Sequence, residues 1–156
     1  MIKNLNDFIL KYSLQIAFAQ AWAATLGSLY FSEIRHWKPC LLCWYQRILM
    51  YPLVILLAVA IKRRDKNVAY YVLPMSILGM SIALYHYLLQ MTPLKEVTPI
   101  QCSAYGPCSE VTVLEFGPVV LPYFVTIPFL SLTAFTVITI MMIILLKSKK
   151  KNDRRK

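Results

Sequence analysis

Four long apolar stretches decide what this chain can fold into. They run roughly over residues 12–31, 41–61, 68–89 and 128–146, and Arg47 is the single charge within them. About 20 apolar residues suffice for a helix to cross a bilayer. Only 15% of the 156 residues are charged, against about 25% in soluble domains. A soluble chain of this size has too little interior to hide four such runs from water. The sequence therefore predicts an all-α membrane protein, a four-transmembrane-helix bundle. Residues 1–147 form one membrane domain and 148–156 a basic tail. Ala21-Trp22-Ala23 fits a signal-peptide cleavage site. The apolar run continues past it through Leu29, Tyr30 and Phe31, so the first stretch is read as an uncleaved span.

The net charge of +10 is distributed by side. Lys3 and Lys11 precede the first span, Lys62, Arg63, Arg64 and Lys66 lie between the second and third, and seven Lys or Arg follow the fourth. With four crossings all of these face the same way. Arg35, Lys38 and Lys95 face the other, beside Glu33, Glu96, Glu110 and Glu115. The positive-inside rule then places both termini in the cytoplasm. The basic tail is read as a topology anchor that touches anionic lipid, not as a nucleic-acid site. A short cytoplasmic turn over 62–67 makes spans two and three antiparallel neighbours. A long extracytoplasmic loop, roughly 90–127, carries five prolines and two glycines, which disfavour helix. Its apolar part, FGPVVLPYF, is expected to lie in the headgroup region. Pro52 and Pro74 fall inside spans two and three, where proline is ordinary.

All four cysteines map to the outer side, where disulfides form and persist. Cys40 and Cys43 sit at the mouth of span two, and Cys102 and Cys108 in the long loop. A staple across three residues removes little freedom from the unfolded chain, so Cys40 and Cys43 read as a redox pair. Pro39 suits a first helical position, which would set both thiols in the first turn, near the positive end of the helix dipole. Cys102 and Cys108 could equally close a small structural loop. The main competitor is a membrane metal-binding protein, with zinc or copper held by the four cysteines, with or without His36. The C-x5-C spacing of the loop pair and the nearby Arg47 count against it. Covalent haem would need histidine at position 44, which is tryptophan.

Arg47 lies four residues after Cys43, on the same helix face and about 6 Å deeper. An intramembrane charge is a functional hypothesis by default. It either snorkels to the headgroups or serves the chemistry, by stabilising a Cys43 thiolate and donating to the carbonyl of a lipid-soluble oxidant such as a quinone. A quinone accepts two electrons, as many as a dithiol releases.

The run CLLCWYQR resembles the C-x-L-C-x-x-Q-R pattern at the second transmembrane helix of the DsbB family, and is most similar to its BdbC type from Gram-positive bacteria. The resemblance covers nearly the whole chain. Vitamin K epoxide reductase relatives share the chemistry, but their C-x-x-C follows the loop cysteines, whereas here it comes first. The resemblance implies a quinone-dependent protein-disulfide oxidoreductase. Cys102 would be attacked by a reduced extracytoplasmic thioredoxin-fold thiol oxidase of the DsbA/BdbD kind, which leaves oxidised. Exchange between Cys108 and Cys40 would pass the electrons to the C-x-x-C pair. Cys43 would face the quinone through a thiolate charge-transfer or adduct state, with Arg47 beside it, and the quinone pool would carry the electrons away. A Gram-positive type implies menaquinone rather than ubiquinone. The loop pair is spaced by five residues, closer than in Gram-negative members, which loosens the assignment of separate roles to Cys102 and Cys108.

Three further residues are candidates for quinone contact, each with a plainer alternative. His86 is an interfacial histidine among aromatics, or it hydrogen-bonds the quinone or relays a proton. Gln46 orients Arg47 or simply packs. Trp44 walls the quinone pocket or belongs to the aromatic belt. Gln20 is read as an interhelical hydrogen-bonding residue.

Overall fold

The computed structural model describes residues 2–92, 115–116, 119–120 and 125–153, with side chains over 12–92 and 125–149. Four helices make up the bundle: α1 (Ile2–Leu29), α2 (Leu41–Arg63), α3 (Ala69–Met91) and α4 (Ile127–Asp153). Two-residue strands β1 (Glu115–Phe116) and β2 (Val119–Val120) pair antiparallel between α3 and α4. They add a small ladder where the sequence predicts only loop. The rest of FGPVVLPYF lies outside the described residues.

Among the described residues, three helical segments are long and apolar enough to cross a membrane: Leu41–Arg63, Lys66–Met91 and Ile127–Lys149. The first expected span lies in α1 and the π-helical turn after it, Tyr30–Ile34. Neighbours around the bundle are α1–α2, α2–α3, α3–α4 and α4–α1. So α2 and α4 face each other across the diagonal. They start at the end where α1 and α3 finish.

The side-chain distribution is that of a bundle whose solvent is lipid. Small residues share the interior with Leu53, Leu57, Phe135, Ile138 and Met142, and Ala17, Ala21, Ala69 and Ala83 are fully buried. Large aliphatics point out, Ile55 being 68% and Leu78 58% exposed. Backbones approach closely where side chains are small. At Gly79 in α3 an added Cβ would overlap the buried Phe135 ring of α4. Beside that contact Thr139 Oγ1 donates to Ser76 Oγ at 3.0 Å, across the same interface.

The two connections follow from local chemistry. Arg64 adopts a left-handed conformation and Asp65 N–H reaches back to the Ala60 carbonyl, which satisfies the last carbonyls of α2. Asp65 Oδ1 then accepts from Asn67 N–H at 2.8 Å and starts a 3-10 turn into α3. At the other end, α1 widens into the π turn, in which Arg35 N–H bonds the Tyr30 carbonyl. His36 is left-handed and Trp37 stacks on Phe31 with ring centroids 5.1 Å apart. That stacked turn aims the chain at the start of α2.

Candidate active site

α2 begins later than the proline suggests. Cys40 is the N-cap, with extended backbone (φ −71, ψ 170), and Leu41 is the first helical residue. Pro39 therefore precedes the cap and does not occupy the first helical position. Its fixed φ suits extended chain as well as helix, and the extended ψ of Cys40 sets the boundary. Trp44 N–H bonds the Cys40 carbonyl at 3.1 Å, closing the first turn and stacking Cys40 and Cys43 at the helix start.

Both are free thiols, Cys40 buried and Cys43 half-buried. Their sulfur atoms are 3.1 Å apart and share a hydrogen bond. Cys40 Sγ is also 3.7 Å from His86 Nε2, and His86 Nδ1 is 3.2 Å from Gln46 Nε2. Cys40, just outside the span, has its thiol drawn down to about 4. The hydrogen bond with Cys43 is the main cause, helped by the hydrogen bond and charge of His86, while burial acts the other way. The positive end of α2 favours the same ionisation.

Arg47 donates from Nη2 to the Ser28 carbonyl of α1 at 3.1 Å. Its guanidinium lies 5.7 Å from the centre of the Trp44 ring. A bond from a charged donor contributes about 1.5–3 kcal/mol. That is comparable to the roughly 2.5–3.5 kcal/mol by which insertion scales disfavour arginine at a helix centre. The bond holds the charge inside the protein. Trp44 itself is 44% exposed and does not line the cavity described next.

A cavity of about 690 Å³ opens between the helices at this end. Cys40, Cys43, Gln46 and Arg47 line it from α2, His86 from α3, and Gln20 and Ser28 from α1. Tyr51 and Thr126 also line it, and among the described residues the buried hydroxyl of each has no hydrogen-bond partner. The structure thus gathers Cys40, Cys43, Gln46, Arg47 and His86 around one space. Cys102 and Cys108 lie outside the described residues. Sequence reasoning missed Ser28, Tyr51 and Thr126. A backbone carbonyl carries no sequence signature, and single hydroxyls in apolar helices are common. The potential metal ligands that cluster among the described residues are Cys40, Cys43 and His86, all within 4.8 Å of one another. His86 takes the place that the sequence offered to His36.

Residues 11–146 match the family model described as disulfide bond formation protein DsbB. The chain belongs to the DsbB family. It is 51% identical over 131 residues to disulfide bond formation protein C of Bacillus subtilis, covering 83% of this chain and 88% of that one. It is 47% identical over 129 residues to probable disulfide formation protein C of Halalkalibacterium halodurans, covering 83% and 89%. A probable disulfide formation protein of Coxiella burnetii is 43% identical over 141 residues, covering 89% and 90%. No solved structure matches the chain. As a DsbB-family member with several membrane-crossing helices, it is a disulfide-forming oxidoreductase of a membrane.

Proposed function

We propose that this protein reoxidises an extracytoplasmic thioredoxin-fold partner of the DsbA/BdbD kind and passes two electrons through Cys40 and Cys43 to membrane quinone. The observation that carries this reading is the cavity that brings the thiol pair, Arg47 and two unpartnered hydroxyls together. Its volume lies within the range of small-molecule sites, roughly 300–1,000 Å³. A quinone ring is apolar with a carbonyl at each end. It suits a largely apolar space with donors at Arg47, Tyr51 and Thr126. Arg47 would hold one carbonyl while keeping its bond to Ser28, since a guanidinium has five N–H donors. Gln46 and His86 border the same space, and Trp44 supports Arg47 from outside.

A quinone supplies the two-electron acceptor that a dithiol needs. The chain supplies the rest. Partner electrons enter by thiolate attack on a disulfide sulfur, at Cys102 and then between Cys108 and Cys40. Cys43 lines the cavity and is the sulfur that meets the acceptor. Both termini and the basic tail lie in the cytoplasm, and the thiol pair faces the extracytoplasmic side. Menaquinone is the expected acceptor, given the BdbC-type resemblance.

The test is quinone absorbance over time, with purified protein and excess reduced thioredoxin-fold partner. Quinone loss matched one-to-one by partner disulfide is expected. No loss with menaquinone and ubiquinone analogues and several partners would overturn the reading. A second reading is favoured by the Cys40–Cys43–His86 cluster, which could hold a thiophilic cation such as zinc or copper. Stoichiometric metal in the purified protein, retained during turnover assays, would favour it.

A further inference from the structure

His86 is a buried imidazole with a different α2 side chain at each nitrogen. Nε2 meets Cys40 Sγ at 3.7 Å and Nδ1 meets the Gln46 amide at 3.2 Å. All three residues are buried, His86 at 1%, Gln46 at 5% and Cys40 at 8% exposure. A sulfur, a base and a group that orients the base is the general arrangement of an activated nucleophile. We propose that His86, oriented by Gln46, is the proton partner of Cys40: it holds Cys40 as the ionised sulfur of the reduced pair and takes up the proton that Cys40 releases. This deepens the quinone-reducing function proposed above and rests on it.

The balance is as follows. Two thiols become one S–S bond between Cys40 and Cys43, releasing two electrons and two protons. Both electrons go to the quinone. The Cys40 proton moves to His86 Nε2 and from there to the reduced quinone in the cavity that His86 lines. Cys43 lines the same cavity and gives its proton there directly.

Gln46 suits both states of the ring. With the amide oxygen turned to accept from Nδ1–H, the Nε2 lone pair faces the Cys40 thiol as a base. Once Nε2 has taken that proton, the same oxygen still accepts from Nδ1–H while Nε2–H donates to the Cys40 thiolate. The other ionisable side chains at the cavity are Cys43, Arg47 and Tyr51 of α2 and His36 and Lys38 of the preceding connection. Among the described residues, α1 and α4 contribute none to its lining. His86 is therefore the one ionisable group that α3 brings to the cavity wall.

Full-length protein, reduced and freed of quinone in detergent micelles, provides the test. Iodoacetamide alkylation of Cys40 is followed by mass spectrometry as a function of pH. His86→Phe should raise the Cys40 midpoint by about one pH unit or more, and Gln46→Leu should raise it by less. In steady state, His86→Phe should lower kcat while changing the quinone KM by less than about twofold. Unmoved midpoints in both variants overturn the proposal. A raised KM with an unmoved midpoint does so too, and gives His86 to the quinone. Gln46→Leu keeps the imidazole, so it carries the test if His86→Phe melts early. Alkylation needs no quinone. A wild-type protein that reduces no quinone therefore sinks the function proposed above while leaving this readout intact.

Discussion

Arg47 and Cys43 lie one helical turn apart on α2 and line one cavity, yet their roles separate by measurement. Cys43→Ser leaves no partner sulfur for Cys40 and should abolish turnover, read as loss of quinone-dependent partner oxidation. Arg47→Ala removes a charged donor worth about 1.5–3 kcal/mol. It should raise the quinone KM by about ten- to a hundredfold, with the KM for the thiol partner unchanged. Arg47→Lys should fall between, because an ammonium lacks the planar fork that serves Ser28 and a ligand together. Unchanged quinone kinetics in Arg47→Ala would reduce the residue to an anchor between α1 and α2. The Cys40 thiol, held down to about 4, bears on redox poise. Stabilising the thiolate stabilises the reduced pair and makes the disulfide more oxidising. The effect is full above the ordinary thiol value of 9.0, shrinks as pH falls below it and is gone below about 4.

Among the elements, the α3–α4 interface is the one most sensitive to side-chain size. A methyl at Gly79 meets the Phe135 ring, which has no room to retreat because Phe135 is fully buried. Gly79→Ala should destabilise the bundle by about 1–3 kcal/mol, measured by denaturation in micelles. Gly79→Ala combined with Phe135→Leu should recover part of the loss. The Ser76–Thr139 hydrogen bond should contribute less, about 0.6 kcal/mol in a double-mutant cycle. The start of α2 shows how far an element is legible. CLLCWYQR places a helix start and a thiol pair from sequence alone, while the role of Pro39 shifts because its φ fits both helix and extended chain. Only the backbone of Cys40 settles which.

At the scale of the whole molecule, the charge asymmetry predicts that both chain ends lie together on the cytoplasmic face of the membrane. A single cysteine introduced by Lys150→Cys, in a background where Cys40, Cys43, Cys102 and Cys108 are serine, should react with a membrane-impermeant maleimide only after cells are opened. Reaction in intact cells would reverse the topology. The all-α membrane-bundle class and the close spacing of the thiol pair and Arg47 were readable in the sequence, and three of the four expected spans coincide with helices long and apolar enough to cross a membrane among the described residues. Hydropathy and charge act locally, and a C-x-x-C is one turn of chain. The tertiary structure alone decided that His86, 46 residues from Cys40, faces that sulfur. It also decided that Arg47 bonds a carbonyl of α1 rather than open water, and that Trp44 lies outside the cavity. Those facts depend on how helices rotate about their axes when small residues let them close. No single helix encodes that rotation, because an apolar helix in lipid is nearly apolar all round and its sequence does not say which face turns inward.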